Sequence, residues 1–547
     1  MRRLTWMLLV LVAFQPVANA AAIDVEAQCP WIDREGYTPI VLTVRSATPT
    51  ATVVTVEANL FDNRTTMTIA VPAGAVLSRT LLLPGATRGW GSSIDLRWSA
   101  PGVPSEQLSV SPHGFRDFDV VVLDPEDRWT VKESRDAVAA AFSPRRESSG
   151  GAHSTSSYAD TRFTRWSADA LPDRWQGLPA WLTLVTTAAG ERALTDSQRA
   201  AVAAWTQAGG RLFVTDAAQL SGWQRLAAQV AVVSDAALIQ RISHVRSFQE
   251  RSAVDWPVPG TGRAPVYGFI SIALGFSLIV GPLNLWWCAR QGRRHLLLIT
   301  TPVLSVAACV MLLMYGLVSD GLGIQRAAVQ VVMLDQAAGR AATWTSMSIF
   351  AGLAPSPLTL DQETLLTVQD PRSDRRQDQQ SAVALSWTAT SQVASGWIPS
   401  RTNRQLTFAS VQPERRRLMM VKNGEGWQVT NGFDLVLEDF DWKDASGRPW
   451  HLAGSLAAGA QGSLTAGAVP NALALPLGRL PTAAVQAGAD CTWTARFSGA
   501  LLAIPGPAAT DAEPVMSWVM GHGALESAAS AFTPAPTAAP AVTQGGF

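Results

Sequence analysis

Two charge-free apolar runs, Tyr267–Cys288 and Leu296–Leu317, flank the basic turn Ala289–His295 and constrain the rest of the chain. Each run is 22 residues, about 33 Å as a helix at roughly 1.5 Å per residue, enough to cross the hydrocarbon core of a bilayer. The seven-residue turn closes them into an antiparallel hairpin. Arg290, Arg293 and Arg294 place that turn on the cytoplasmic side, because short loops rich in Lys and Arg are retained there. Both large flanking segments are then expected on the opposite side.

The N-terminus agrees. Arg2 and Arg3 precede the apolar stretch Leu4–Phe14, and Ala18-Asn19-Ala20 fits the small-x-small cleavage pattern of a secretory signal, with Ala18 and Ala20 as its small positions. Within the runs, Tyr267 and Tyr315 sit near the outer ends, and Trp286 and Trp287 near the inner boundary, where amphipathic rings favour headgroup level. Ser271/Gly275 and Ser277/Gly281 place small residues four apart, predicting close approach of the first helix to the second. Pro282 and Pro302 are tolerable where packed neighbours satisfy the freed carbonyls. Asn284, the strongly polar side chain of the spans, predicts a hydrogen bond across the hairpin. No Asp, Glu, Lys, Arg or His lies within either run, so a proton or ion pathway has no carrier there.

The chain is long enough, at 547 residues, for several domains with their own cores. Its 43 basic and 43 acidic residues cancel, so no global field points to nucleic acid. Four cysteines are too few for a disulfide framework. Cys288 and Cys309 fall within the spans, while Cys29 and Cys491 either pair in an oxidising compartment or remain two buried thiols.

From residue 21 to 112 the pattern is β. Thr52–Leu60, Arg64–Val71, Ser78–Leu83 and Ser93–Trp98 are rich in Val, Thr, Ile and Leu, with turn signals between, as in a small immunoglobulin-like sandwich. The pattern then changes. Phe118–Asp124 reads as a buried parallel strand, followed by a helix near Val131–Phe142 and a polar loop over Ser143–Thr164. A second buried strand at Trp181–Thr186, a helix at Thr195–Ala208 and a strand at Arg211–Thr215 complete an α/β layer. Thr195 and Asp196 cap the helix, and Gly209-Gly210 stops it.

The series Phe118–Asp124, Leu171–Leu178, Asp196–Gly210 and Arg211–Thr215 resembles the class I glutamine-amidotransferase-like fold, in the exported version found in uncharacterised bacterial envelope proteins. The continuation from Gly281-Pro282-Leu283-Asn284 through Gly292-Arg293-Arg294 to a β-rich region opening at Ile324-Gln325-Arg326 resembles the same group. Active members of that family use a cysteine on a Gly-x-Cys-x-Gly elbow, aided by a histidine. Here the corresponding strand end, Phe213–Ala218, has neither the cysteine nor its flanking glycines, so the acyl-transfer nucleophile is absent. Asp216 stands at the carboxyl end of this strand, where open α/β sheets bind ligands, as a possible pseudo-active-site residue; its alternative role is a helix cap or solvated loop carboxylate.

After the hairpin, Arg326–Leu334 and Arg340–Phe350 form a β-hairpin about Gln336–Gly339, and further strands at Thr364–Val368, Ala382–Trp387, Arg417–Val421, Trp427–Val429 and Phe433–Leu437 make a β-sandwich region. The Ala/Pro/Thr-rich tail cannot bury enough apolar area to order itself. The organisation expected is multidomain α/β plus all-β: signal peptide 1–20, sandwich 21–112, flavodoxin-like or amidotransferase-like α/β domain 113–250, two-helix transmembrane hairpin 265–318, β-rich exported domain 323–522 and disordered tail 523–547.

Other candidate sites weigh less. The six histidines show no zinc-ligand spacing. Asp439, Asp441 and Asp444 resemble a calcium loop but lack the glycine and terminal glutamate of an EF-hand, and so read as an acidic turn. Arg415-Arg416-Arg417 reads as a solvated strand edge or an anion contact. Twenty-one tryptophans raise glycan binding, which needs two or three exposed coplanar rings. No metal or cofactor is expected. The function expected is a non-enzymatic scaffold or docking subunit of a bacterial envelope complex, anchored in the inner membrane with both halves periplasmic. The alternatives are a glycan-binding module for cell-wall or exopolysaccharide handling, and a hydrolase with an unrecognised site.

Overall fold

The computed structural model describes residues 23–123 (less 34–35, 61–62, 86–92 and 115–118), 125, 162–214 (less 180–181 and 209), 231–232 and 266–521 (less 293, 321–322, 337–338, 370–382, 445, 468–492, 507–510 and 513–514). Strand-forming sequence dominates, as the Val/Thr/Ile-rich segments require. The first segment supplies β1 (Ile23–Trp31), β2 (Tyr37–Ser46), β3 (Thr52–Leu60), β4 (Asn63–Val71), β5 (Val76–Pro84), β6 (Ile94–Ala100), β7 (Val103–Val110) and β8 (Pro112–Gly114). In β3, β4 and β6, buried and more exposed residues alternate, so one face of each strand meets a core.

Next come β9 (Asp119–Leu123), β10 (Arg162–Arg165), β11 (Thr183–Thr186), helices α1 (Ala188–Ala193) and α2 (Asp196–Gln207), β12 (Arg211–Val214) and β13 (Ala231–Val232). The five strands are all parallel, in the order β10-β9-β11-β12-β13. That is the 2-1-3-4-5 order of doubly wound folds. The expected loop Ser143–Thr164 is corrected at its end. Arg162–Arg165 forms the edge strand beside β9, where a polar sequence carries no periodic signal. The helix expected at Val131–Phe142 lies outside the described residues. Helix α2 starts with a capping box, as Thr195 Oγ1 accepts from Gln198 N–H and the Gln198 side chain returns to Thr195 N–H.

The helical hairpin consists of α3 (Val266–Leu278), a π turn at Ile279–Leu283, α4 (Asn284–Arg290) and α5 (Leu297–Asp320). After it come β14 (Ile324–Asp335), β15 (Arg340–Ala351), β16 (Leu358–Asp361), β17 (Thr364–Gln369), β18 (Ala384–Trp387), β19 (Ser391–Ser395), β20 (Thr402–Pro413) and β21 (Leu418–Asn423). The last strands are β22 (Gly426–Asn431), β23 (Leu437–Lys443), β24 (Pro449–Leu452), β25 (Gln461–Ala466), β26 (Trp493–Ser498), β27 (Asp511–Ala512) and β28 (Met516–Gly521). All of them but β16, β18 and β19 build a twelve-stranded sheet around β14 and β15, whose residues are buried along nearly their whole length. Near-continuous burial on both faces marks a strand pair covered by layers on each side.

The segments before and after the hairpin do not fold apart. A seven-stranded sheet runs β16-β19-β18-β4-β3-β6-β7, with β18 pairing parallel to β4 over Ala384–Trp387 and Arg64–Met67. Arg64 N–H donates to Val383 O at 3.2 Å, and Val383 N–H to Asn63 Oδ1 at 3.1 Å. One apolar core contains Ile40, Leu42, Val56 and Trp98 together with Met347, Leu385, Trp387 and Phe408. A second joins Leu184, Val202 and Trp205 of the α/β layer to Val329, Val331 and Trp344. The sequence reading that treats 21–112 and 323–522 as separate sandwiches does not contain this shared sheet.

Candidate functional site

Among the described residues, the hairpin carries the largest exposed apolar side chains. Tyr267–Arg290 and Leu297–Tyr315 are helices long and apolar enough to cross a membrane. Tyr267 is 89 % exposed and Leu298 85 %, with Trp286 and Trp287 also exposed, so this apolar surface is uncovered by protein among the described residues. Surfaces of this size and character mark membrane or partner contact. Arg290 lies 5.3 Å from the Trp286 ring. Arg294 opens a short 3-10 turn, and Arg293 lies outside the described residues.

Two contacts close the helix pair. Toward the ends far from the turn, a Cβ on Gly268 would fall within 1.8 Å of Tyr315 Oη, so with Tyr315 in this position glycine lets the helices meet. Phe269 meets the same ring edge-on at 5.7 Å. Toward the turn, buried Asn284 reaches Thr301 Oγ1 at 3.5 Å and accepts from Cys288 Sγ at 3.6 Å. The π turn coincides with Pro282, which lacks the N–H that the regular ladder needs.

The expected close approach through Ser271/Gly275 and Ser277/Gly281 is corrected. A Cβ on Gly275 or Gly281 would meet nothing within 4 Å, and Ser271 and Ser277 donate to Tyr267 O and Ala273 O of their own helix. Spacing identified a small-residue face but not the neighbour it would meet. Gly268 carries the contact instead.

In the α/β layer, the crevice between β9 and β11 lies where the strand order reverses, the position where such sheets bind ligands. Among the described residues, α1 sits close over the end of β9 there. Thr187 N–H donates to Leu123 O at 3.4 Å, and Thr186 Oγ1 to the same oxygen at 3.5 Å. A Cβ on Gly190 would stand 2.2 Å from Leu123 O. Asp216 lies outside the described residues, as do Ala18, Ala20 and the segment 523–547.

The acidic run of β23 resolves into separate structural contacts. His451 Nδ1 and Asp441 Oδ1 stand 2.7 Å apart as a directly paired cross-strand couple. Asp439 pairs with Arg496. Asp444 accepts from Ser446 Oγ, Trp450 Nε1 and the N–H groups of Ser446 and Arg448, and these bonds hold its carboxyl down at about 2. Among the described residues no group of three metal-ligating side chains converges. Of the arginine triplet, Arg416 is committed to Glu414, Asp434 and Leu501 O, whereas Arg415 and Arg417 are exposed.

Tryptophans serve packing. Outside the hairpin, every described tryptophan is buried except Trp166 and Trp427, which are half-buried. Thus, outside the hairpin, the described residues present no exposed tryptophan on which a sugar could stack. Cys29 is a free thiol, buried in the first core; its Sγ–H donates to Trp31 O at 3.3 Å, and burial pushes the thiol up to about 12. Cys491 lies outside the described residues.

No protein-family model matches the chain. No curated protein matches it either. Among solved structures, one similarity is to a cycloisomaltooligosaccharide glucanotransferase of Paenibacillus sp. complexed with cycloisomaltoheptaose, at 14% identity and a TM-score of 0.15. It covers 21% of this chain and 17% of that one. Another is to the yeast delta-COP-I mu-homology domain, at 10% identity and a TM-score of 0.18, covering 37% of this chain and 96% of that one. Similarities at these TM-scores carry no argument about fold or function.

Proposed function

We propose that this chain is a bacterial inner-membrane protein that crosses the bilayer twice, with its arginine corner in the cytoplasm and both folded segments on the periplasmic side. In this reading it acts as a non-enzymatic scaffold or docking subunit of an envelope complex. The observation that carries the topology is the β4–β18 pair. Hydrogen-bonded strands and a shared core cannot form across a lipid layer, so the segments before and after the hairpin occupy one compartment. An even number of crossings between them is required, and the two apolar helices supply it. Zero crossings would leave Tyr267, Leu298 and the rest of the exposed apolar surface in water.

The scaffold reading is supported by a strand end without the family's nucleophile. The amidotransferase-like resemblance remains part of this proposal, with the parallel sheet serving as a docking layer. The sheet order is common to many doubly wound folds and does not define an activity. Partners by resemblance are envelope proteins such as a transport or chaperone-ATPase system. Affinity purification of the intact protein from mild detergent, followed by identification of what co-purifies, tests this. A stoichiometric envelope partner is expected; recovery of the chain alone would count against a scaffold.

A further inference from the structure

The twelve-stranded sheet ends on β21, which pairs with β22 and with no other strand among the described residues. Gly432 N–H donates to Arg417 O at 3.2 Å, and this bond sets the alternation along the strand. In the register Leu418–Asn431 to Asn423–Gly426, Met419, Val421 and Asn423 turn their backbone groups to β22. Leu418, Met420 and Lys422 turn theirs away, toward the open edge.

The side chains divide the same way. Leu418 and Met420 are buried in the third core, beneath the sheet. Met419 and Val421 stand on the outer face, 38 % and 41 % exposed. Open edges are normally blunted by charge, yet the middle of this one, Met419–Val421, carries none.

A second copy of the same strand fits this edge. A two-fold axis normal to the sheet keeps outer face against outer face, so the backbone alternation restricts the centre to Leu418, Met420 or Lys422. Centring on Lys422 sets two lysines against each other, which is unfavourable. Centring on Leu418 sets Arg417 against Met419 and draws in Arg416, already committed to Glu414 and Asp434. Centring on Met420 avoids both. Met420 then faces Met420, and Leu418 faces Lys422 of the second copy, each pair exchanging two backbone hydrogen bonds. Met419 and Val421 of the second copy fall at a close, non-hydrogen-bonded position, where side chains pack best. The ends match in charge as well. Arg415, just before the strand, comes alongside the turn that carries Glu425 of the second copy. Both residues are exposed and lack an ion pair within the chain among the described residues.

We propose that β21 is a self-association edge, joining two copies of this chain into one continuous sheet through an antiparallel β21–β21 pair centred on Met420. The contact goes beyond the scaffold reading and does not depend on the membrane crossing of the hairpin.

The test is disulfide trapping with the full chain in mild detergent. One chain carries M419C and a first affinity tag, another V421C and a second tag. Cys288, Cys309 and Cys491 are replaced by alanine in both, and buried Cys29 is left in place. Across the proposed pair, Cα atoms at 419 and 421 stand about 4.5 Å apart, within disulfide reach. The 419–419 and 421–421 diagonals span roughly 7–8 Å, which is too far. V53C, on exposed Val53 of β3, gives the level set by random collision. On mild oxidation the mixed M419C–V421C product is expected several-fold above either chain with itself and above V53C. No mixed product, as a solvated edge or a foreign strand on β21 would give, overturns the proposal. Equal yields from the mixed and the like pairs overturn it too, since they exclude the register.

Discussion

Tyr37 Oη donates a 2.8 Å hydrogen bond to Gln392 Oε1, joining two residues 355 positions apart, one before and one after the helical hairpin. The same oxygen accepts from Leu366 N–H at 3.1 Å, and Gln392 Nε2 donates onward to Asp361 O at 3.0 Å. Tyr37 and Gln392 are both fully buried, so these groups have no water to fall back on. Tyr37→Phe leaves Gln392 Oε1 and Leu366 N–H each short of a partner. We expect a loss of about 1–3 kcal/mol, read as a lower denaturant midpoint with unchanged slope. An unshifted midpoint would show that the two segments do not depend on this contact.

Trp387 anchors the same junction. Its Nε1 donates to Leu82 O at 3.1 Å, its ring meets Tyr37 edge-on at 6.0 Å, and Arg174 lies 4.8 Å from its centroid. Burial lowers the Arg174 guanidinium from its usual range, against the opposing pull of Asp173 and Glu363. Trp387→Ala is expected to cost about 3–5 kcal/mol. Proteolysis should then cut the segments on both sides of the hairpin together. Release of one with the other still resistant would contradict a shared core.

Gly190→Ala tests the seat of α1 on the end of β9. The added methyl would meet Leu123 O at 2.2 Å and Thr186 Oγ1 at 2.5 Å, both too close for any Cβ. Helix α1 must move off β9, at a cost of about 1–3 kcal/mol. Hydrogen exchange should accelerate at Thr187 and Gly190 first. Unchanged protection there would mean that α1 sits less tightly on β9 than described.

Within the hairpin, Gly268→Ala and Gly275→Ala should part company. The first drives a methyl into Tyr315, and the second places one in open space. Gly268→Ala is expected to weaken helix association, whereas Gly275→Ala leaves it unchanged, as read by unfolding in mixed detergent micelles. Equal effects would return the seam to the stripe of small residues.

The Cys29 thiol, pushed up to about 12 by burial, should resist alkylation in the folded protein at pH 8. Burial keeps the thiol protonated and out of reach, and the thiolate is the nucleophile. Denaturant should expose it at once. Rapid labelling of Cys29 in the native state would contradict its place in the first core.

Some of this was readable along the chain, and the reasons divide by range. The apolar runs and their arginine turn need no partner to be recognised, since length and absence of charge are local properties. The β14–β15 hairpin was legible for the same reason, with Gly339 at φ 64° in its turn. The strands β9, β11 and β12 announced themselves as short apolar runs, but the polar edge strand β10 did not. The pairing of β4 with β18 left no trace, because nothing local to Arg64–Met67 specifies a partner more than three hundred residues away. The hairpin seam was misassigned because spacing defines a helix face and not the neighbour it meets. Gly268 carried no signal beyond being a glycine near Tyr267; its need appears only once Tyr315 is placed over it.

The most direct test of the double crossing is a pair of reporter fusions to alkaline phosphatase, which is active only after export. One fusion follows Gly323, just beyond α5, and the other is made at Gly292 in the basic turn. High activity after Gly323 and none at Gly292 is the expected result. Activity at Gly292 with an inactive fusion after Gly323 would place the turn outside the cell and contradict the account.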